Sequence, residues 1–147
     1  MDESKSYLFI YGSLLNDDNE FAVYLKQNCT FYSKGKFEGK LYDVGLYPGA
    51  ILSAGCGQYV YGSIFIVNDP VVAFKVLDDY EGFGADQPYP NEFTRDFVEI
   101  EVNAVKLNCW VYLYKLPVDK LPQIISGDYL DYKKWKLTKL IGCISSC

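Results

Sequence analysis

The sequence contains no histidine, the residue that most often transfers protons near neutral pH. Without it, such transfer falls to a carboxylate with a raised pKa, a tyrosine, a cysteine or a lysine. A cysteine nucleophile would lack its usual activating base, and a zinc site would lack imidazole ligands. The missing residue therefore disfavours cysteine-based catalysis and leaves four residue types as candidates for acid–base chemistry.

Cysteine pairs at metal-binding or redox spacing are absent as well. The five cysteines are an odd number at irregular spacing with no CxxC, which predicts reduced thiols and no metal site. We expect Cys29, Cys56 and Cys109 to be small core residues beside apolar strands. Cys143 and Cys147, in the tail, are predicted to be exposed.

Clustered basic residues and long apolar runs are also missing. The 14 Lys and Arg are scattered and outnumbered by 19 acids, giving a net charge of −5, so no nucleic-acid partner is predicted. The charged start, residues 1–5, precedes an apolar run too short for a signal sequence or a membrane span. The 147 residues, half of them hydrophobic, predict a single domain over 1–147, in the cytoplasm and without a membrane partner. Composition leaves the oligomeric state open.

Aromatic residues are abundant, with 14 Tyr and 9 Phe, and many alternate with polar residues as in β-strands. The patterns predict strands over 7–11 and 59–67, a bulged strand pair over 31–44, and a hairpin of strands 93–102 and 105–114 joined around Asn103-Ala104. They also predict helices over 19–26 and 70–81, the second with Pro70 at its first position and Gly82 as its stop. Because the first strand is nearly all apolar, we expect it at the centre of a sheet. The elements predict an α+β fold around a strongly curved sheet or small barrel, with closed and open forms both allowed.

Glu81, at the end of the second predicted helix, is the acid placed best for proton transfer. Four apolar residues of this helix form one stripe on a helical wheel: Ala73, Val76, Leu77 and Tyr80. Glu81 lies at the border of this stripe, where partial desolvation would raise its pKa toward that of a general base. Asp78 and Asp79 point away and are predicted to be surface residues or contacts of neighbouring lysines. Taken alone, Glu81 fits a solvated, frayed helix end equally well.

A Tyr-Gly-Ser-Leu segment, residues 11–14, follows the first predicted strand. Gly12 permits close approach by a ligand and Ser13 can start a tight turn, in which successive N–H groups form a concave anion site. Ligands often bind where a central strand ends. An ordinary turn is the alternative, because the segment lacks the spaced glycines and the lysine of a nucleotide-binding loop.

Several motifs occur in an order that resembles the γ-glutamylcyclotransferase-like superfamily, which includes γ-glutamylamine cyclotransferases and the plant avirulence-induced proteins. The matching segments are 9–14 (FIYGSL), 45–49 (GLYPG), 60–65 (VYGSIF), 77–82 (LDDYEG), 93–95 (FTR), 110–112 (WVY) and 126–129 (SGDY). The resemblance implies a small mixed β-barrel with flanking helices, and one cavity shared by the loop and the helix-end glutamate. It implies Glu81 as proton acceptor and donor, and Tyr11, Gly12, Ser13 and Leu14 as substrate-binding residues. Tyr112 matches a position that lines the cavity, with a barrel-wall role as the alternative.

The implied reaction is intramolecular. The free α-amine of a γ-glutamyl group attacks its own γ-carbonyl, which forms 5-oxoproline and releases an amine or amino acid. Backbone N–H groups of Gly12, Ser13 and Leu14 would hold the α-carboxylate or support charge on the carbonyl oxygen, and both roles stay open. The reaction requires no cofactor, and the expected partner is a small γ-glutamyl substrate.

One departure bears on the substrate. Many enzymes acting on γ-glutamyl amino acids have an asparagine between the serine and the leucine, whereas here Leu14 directly follows Ser13. This places the chain closer to the γ-glutamylamine and plant-type branches. A non-catalytic small-molecule-binding or protein-interaction domain of the same fold remains the alternative function.

Overall fold

The computed structural model describes residues 5–12, 20–45, 47–81, 84 and 91–145, with the side chains of 20–21 and 139–145 left out. The described residues form six strands and three helices. In chain order these are β1 (Ser6–Ile10), α1 (Glu20–Asn28), β2 (Cys29–Asp43), β3 (Pro48–Leu52), β4 (Tyr59–Val67), α2 (Pro70–Glu81), β5 (Phe93–Val102), β6 (Val105–Tyr114) and α3 (Tyr129–Ser145).

The sheet closes into a barrel. Its strand order is β3-β2-β4-β1-β6-β5, and a further β2–β5 pairing at Lys36 and Glu101 joins the two ends, leaving β3 as an extra strand on β2. β1 and β6 pair in parallel, whereas the other pairings are antiparallel. The fold is therefore a mixed β-barrel with flanking helices, as predicted, and it is the closed of the two forms that the sequence allowed.

β1 lies at the centre of the sheet between β4 and β6, which confirms the prediction from its apolar run. Its side chains alternate between two cores. Phe9 packs with residues from the other barrel strands, among them Ile64 and Val111. Leu8 faces the helices and packs in a second cluster with Leu25 of α1 and Leu77 of α2. Because both faces are covered, the end of β1 is held in place from both sides.

The predicted strand pair over 31–44 is instead one 15-residue strand, β2, with a register shift between Phe31 and Ser33. Its glycines allow close approach and do not form a turn. A Cβ on Gly35 would lie 2.7 Å from the Ile100 side chain, and one on Gly39 would lie 2.3 Å from a backbone oxygen. Glycine is a turn signal in sequence, but here it lets neighbouring strands and side chains pack against the barrel wall.

The predicted hairpin of β5 and β6 is confirmed at both ends, with Val102 paired to Val105. Asn103 and Ala104 connect them with φ of 48° and 71°. Two consecutive left-handed residues are typical of the two-residue turn whose twist matches that of a hairpin. The hairpin brings Arg95 of β5 opposite Tyr112 of β6.

α3 was not predicted, because the sequence beyond Lys115 has no clear helical periodicity. The helix begins just after Asp128, whose carboxylate accepts a hydrogen bond of 3.1 Å from the backbone N–H of Asp131. This is the capping bond of a helix N-terminus. Without a long apolar stripe, the helix depends on its contacts with the barrel.

Asp43, at the end of β2, holds α3 against the barrel. Its carboxylate accepts hydrogen bonds of 2.7 Å from both the Tyr132 hydroxyl and the Lys136 ammonium, and one of 2.8 Å from the N–H of Gly45. Burial by itself would raise the pKa of Asp43, but the bonds from Lys136, Tyr132 and Gly45 outweigh it and lower this pKa. The contact joins residues far apart in sequence, so no local pattern signals it.

The cysteine predictions are confirmed in two of the three described cases. Cys29 and Cys109 are buried, and the thiols of Cys29, Cys56 and Cys109 are free. The core prediction was wrong for Cys56, which is half-buried in the turn between β3 and β4. The side chain of Cys143 and all of Cys147 lie outside the described residues. No helix in the described part of the chain combines the length and hydropathy required to cross a membrane.

Candidate functional site

α2 starts at Pro70 as predicted, and its last described residue is Glu81; the predicted stop, Gly82, lies outside the described residues. Its buried side chains are Ala73, Phe74 and Leu77. The predicted stripe was wrong for Val76 and Tyr80, whose exposed fractions are 41% and 51%. The helix is rotated so that its buried face continues through Asp78 to Glu81, because Phe74 packs against Trp110 of β6.

Asp78 is not the surface residue that the sequence predicted. Its carboxylate accepts hydrogen bonds of 2.8 and 3.2 Å from Nε and Nη2 of Arg95, and one of 2.7 Å from the Tyr112 hydroxyl. The ion pair is largely buried, with exposed side-chain fractions of 18% for Arg95 and 19% for Asp78. A two-pronged guanidinium contact of this kind defines the position of a carboxylate. Asp78 thus ties α2 to both strands of the β5–β6 hairpin.

Arg95 also contacts two aromatic rings. Its guanidinium carbon lies 4.2 Å from the ring centre of Phe74 and 4.5 Å from that of Trp110. Contacts with two rings, which also pack edge to face against each other, restrict the orientation of a planar guanidinium. The Arg95–Asp78 pair is therefore a rigid part of the site's wall.

Glu81 lies one turn beyond Asp78 on the same face of α2, where it is half-buried. No hydrogen bond to its carboxylate is seen among the described residues, whereas that of Asp78 accepts three. Burial raises the pKa of Glu81 from 4.5 to about 7, with help from the negative charges of Glu92 and Asp78. Desolvation is the main cause, as expected from the sequence. Near neutral pH this carboxyl is divided between its protonated and ionised forms, which suits it to acid–base chemistry.

Tyr11, at the end of β1, is buried and its hydroxyl is engaged on both sides. It donates to the backbone carbonyl of Tyr112 and accepts a hydrogen bond of 3.2 Å from the N–H of Ala50. Burial raises its pKa most, and the charge of Glu81 raises it further, while the bond from Ala50 opposes both. Glu81 is therefore within electrostatic range of the strand end that leads into the Tyr-Gly-Ser-Leu segment.

Tyr112 of β6 also lies close to Glu81. Burial raises the pKa of its hydroxyl, and the hydrogen bond to Asp78 and the charges of Asp78 and Glu81 raise it further, against a smaller opposing effect of Arg95. Its hydroxyl is committed to Asp78 and its carbonyl to Tyr11. Tyr112 thus lies between the two predicted parts of the site.

Gly12 continues β1 and is half-buried. A Cβ there would lie 3.4 Å from Pro48, which is ordinary van der Waals contact with β3. Ser13 and Leu14, the other predicted binding residues of the loop, lie outside the described residues. Gly12 also borders a cavity of about 390 Å³ between β1, β4 and the start of α3, but Glu81 does not line it.

Two residues near Glu81 were not singled out from the sequence as site residues. The Tyr47 hydroxyl donates a hydrogen bond to the Glu92 carboxylate, and the charge of Glu92 is the second cause of the raised pKa of Glu81. Tyr47 belongs to the GLYPG segment of the resemblance, whereas Glu92 belongs to none of its segments. Only the fold brings Glu92 close to α2. Among the described residues, no group of three or more acids or cysteines is arranged to hold a metal ion.

The raised pKa of Glu81 predicts a stability that depends on pH. A folded-state pKa of about 7 against an ordinary 4.5 means that the folded protein binds more protons in this interval, so its stability falls as pH rises from about 4.5 to about 7. The loss is on the order of 2 to 3 kcal/mol.

We therefore compare the free energy of unfolding of Glu81→Gln with that of wild type at two pH values. The difference, variant minus wild type, should be larger at pH 8 than at pH 4.5. Urea unfolding at the two pH values measures this difference. The measurement at pH 4.5 is the internal control, because Glu81 is then largely protonated in the folded protein. An equal difference at both pH values would contradict a raised pKa.

The comparison with protein families points to one family. A sequence model described as gamma-glutamyl cyclotransferase, AIG2-like, matches residues 8–131. The gamma-glutamylcyclotransferase family protein YtfP of Escherichia coli is 30% identical over 128 residues, covering 86% of this chain and 98% of that protein. The match therefore extends over nearly the whole of the relative.

Solved structures show the same fold. The solution structure of YtfP from Escherichia coli has a TM-score of 0.61 at 26% identity and covers 86% of this chain and 98% of its own. The crystal structure of an AIG2-like protein from Mus musculus has a TM-score of 0.64 at 22% identity, over 85% of this chain and 88% of its own. At 22% identity the likeness shows a shared architecture alone.

Proposed function

Because this chain belongs to the gamma-glutamyl cyclotransferase, AIG2-like family, we propose that it cyclises the γ-glutamyl group of a small γ-glutamyl amine or amino acid to 5-oxoproline. The observation that carries the proposal is Glu81, a half-buried acid with a pKa of about 7 that lies within electrostatic range of the end of β1. We propose a simple amine, rather than an amino acid, as the preferred leaving group. The reason is that Leu14 directly follows Ser13, without the asparagine that many enzymes acting on γ-glutamyl amino acids have between them.

In the proposed mechanism Glu81 is both base and acid. Its ionised carboxylate takes a proton from the α-ammonium of the substrate, and the freed amine attacks the γ-carbonyl carbon. When the bond from this carbon to the leaving nitrogen breaks, the protonated Glu81 returns the proton to that nitrogen. The new ring nitrogen then gives up its second proton to the ionised Glu81, which passes it to the released amine, so the products are neutral lactam and ammonium. Since attacking and leaving groups belong to one molecule, the site's main further task is to fold the substrate into attack geometry.

The proposed substrate-binding residues contribute in different ways. The backbone N–H groups of Gly12, Ser13 and Leu14 are proposed to bind the α-carboxylate or the carbonyl oxygen. The hydroxyls of Tyr11 and Tyr112 already have partners, so we propose that these residues bind substrate through their rings and hold the end of β1 in place. No cofactor takes part.

A cytoplasmic location remains a prediction. Free thiols at Cys29, Cys56 and Cys109 support it, because reducing compartments keep cysteines in this state. The absence of a nucleic-acid or membrane partner likewise remains a prediction from composition.

Incubation with a panel of γ-glutamyl amines and γ-glutamyl amino acids, followed by mass spectrometry, tests the proposed reaction. We expect 5-oxoproline and the free amine in equal amounts, with amines turned over faster than amino acids. Binding of these compounds without any product would instead favour a non-catalytic binding domain of the same fold. Release of glutamate in place of 5-oxoproline would show hydrolysis and contradict cyclisation.

The pH profile of kcat/KM provides a second test. Because Glu81 must be ionised to act as the base, we expect kcat/KM to fall about tenfold per pH unit below about pH 7. Glu92→Gln removes a negative charge that raises this pKa, so the acid limb should move to lower pH. Asp96→Asn, at a β5 acid that pairs with Lys115 and is 41% exposed, is the control and should leave the limb in place. A limb that stays in place in Glu92→Gln would contradict the assignment to Glu81.

A further inference from the structure

One chain of hydrogen bonds links the two predicted halves of the site. Arg95 and the Tyr112 hydroxyl both bind the Asp78 carboxylate, and the Tyr112 carbonyl accepts from the Tyr11 hydroxyl. Tyr11 in turn accepts from Ala50 of β3. The bonds therefore run from the last turn of α2 through β6 to the end of β1.

The geometry makes Asp78 the point at which α2 is held. Glu81 is the last described residue of α2, and helix ends fray unless other contacts hold them. Val76 and Tyr80, on the other side of the helix, are more than two-fifths exposed. Three hydrogen bonds to Asp78, one turn before Glu81, restrain this last turn.

The same residues hold the other half of the site. The Tyr112 hydroxyl donates a hydrogen bond to Asp78, and the Tyr112 backbone carbonyl accepts one from Tyr11. A shift of α2 is therefore transmitted to the strand end that precedes Gly12. These groups are buried or nearly so, and hydrogen bonds to a charged group in such surroundings are among the stronger ones.

We propose that Asp78 is a positioning residue, which acts together with Arg95 and Tyr112 to hold Glu81 of α2 and the Gly12 end of β1 at a set separation. The kinetic part of this inference rests on the proposed function. Asp78 does not touch the substrate in this scheme, because its oxygens are already occupied by Arg95 and Tyr112. Its effect is on the geometry and the charge around Glu81.

Two variants and a control test the proposal by steady-state kinetics. Asp78→Asn keeps the size of the side chain but removes the ion pair, so we expect kcat to fall by about 10²-fold with KM within about threefold of wild type. Tyr112→Phe keeps the Arg95–Asp78 pair and should lower kcat by about tenfold. Asp96, next to Arg95 on β5, pairs with Lys115 and not with Arg95 or Asp78. Asp96→Asn is therefore the control and should change neither kcat nor KM.

Carbon-13 NMR of labelled carboxyl groups gives a readout that does not depend on turnover. In Asp78→Asn the titration midpoint of Glu81 should fall, because one of the charges that raise its pKa is gone. In Tyr112→Phe both the Glu81 carboxyl signal and the Gly12 amide signal should move. In Asp96→Asn both should match wild type.

The outcomes separate the two proposals. If wild type forms no 5-oxoproline from any substrate, the proposed function fails, and the NMR signals alone decide the positioning role. An unchanged Glu81 midpoint in Asp78→Asn, or unmoved Glu81 and Gly12 signals in Tyr112→Phe, would overturn the positioning role even in an active enzyme. If Asp78→Asn does not fold, Tyr112→Phe alone decides, and wild-type kcat in that variant would likewise overturn it.

Discussion

Glu81→Gln is expected to lower kcat for 5-oxoproline formation by about 10³-fold or more while substrate still binds. Glutamine has the size of glutamate but neither accepts nor returns a proton, so both proton transfers lose their carrier. Because the described residues show no hydrogen bond to this carboxylate, the substitution breaks no described bond. We expect the variant to fold normally, and at pH 8 to be more stable than wild type.

The control for this prediction is Asp79→Asn. Asp79 is an exposed acid on the same helix, so its replacement changes the charge of α2 without changing the half-buried face. Turnover of Asp79→Asn should match that of wild type under identical conditions. Full turnover in Glu81→Gln would show that another group carries the proton, and the mechanism would then be wrong.

Gly127→Ala is expected to have the largest effect on stability, a loss of about 3 kcal/mol or more in the free energy of unfolding. Gly127 has a φ of +71°, and a Cβ at this position would lie 1.7 Å from the backbone oxygen of Tyr59. The neighbouring backbone cannot withdraw easily, because the Gly127 carbonyl accepts a hydrogen bond of 2.9 Å from the N–H of Tyr61. The loop before α3 is thereby held directly on β4.

Gly57→Ala is a matched control for this change. Gly57 has nearly the same φ, +72°, but a Cβ there meets nothing within 4 Å. Its replacement should therefore cost only the left-handed backbone penalty of about 1 to 2 kcal/mol. Urea unfolding of both variants separates the steric contact from the backbone penalty, provided that the slope of free energy against urea concentration is the same in both. Equal losses in the two variants would contradict the close approach of Gly127 to β4.

The elements that were predicted well are those whose signals are local. The Asn103-Ala104 connection lies between two alternating runs, and Pro70 stands at the first position of α2, so both boundaries follow from neighbouring residues. β1 was placed at the centre of the sheet because its apolar run required cover on both faces. The family-like order of motifs added the closed barrel, which propensity alone left undecided.

The elements that were predicted poorly depend on distant partners. α3 is held by Asp43, 89 and 93 positions before the two side chains that bind it. The glycines of β2 were interpreted as part of a bulged strand pair, although they lie in one continuous strand and are needed for close packing against its neighbours. Neither feature leaves a periodic pattern in the residues nearby.

The sequence by itself determined which groups are available: no histidine, one acid at the border of an apolar helix face, and a Gly-Ser segment after a central strand. Only the tertiary structure decided how α2 is rotated, and so placed Asp78 in an ion pair with Arg95 and brought Glu92 close to Glu81. The physical reason is that a pKa depends on burial and on charges nearby in space. Those neighbours come from other elements of the barrel, and no spacing along the chain encodes them.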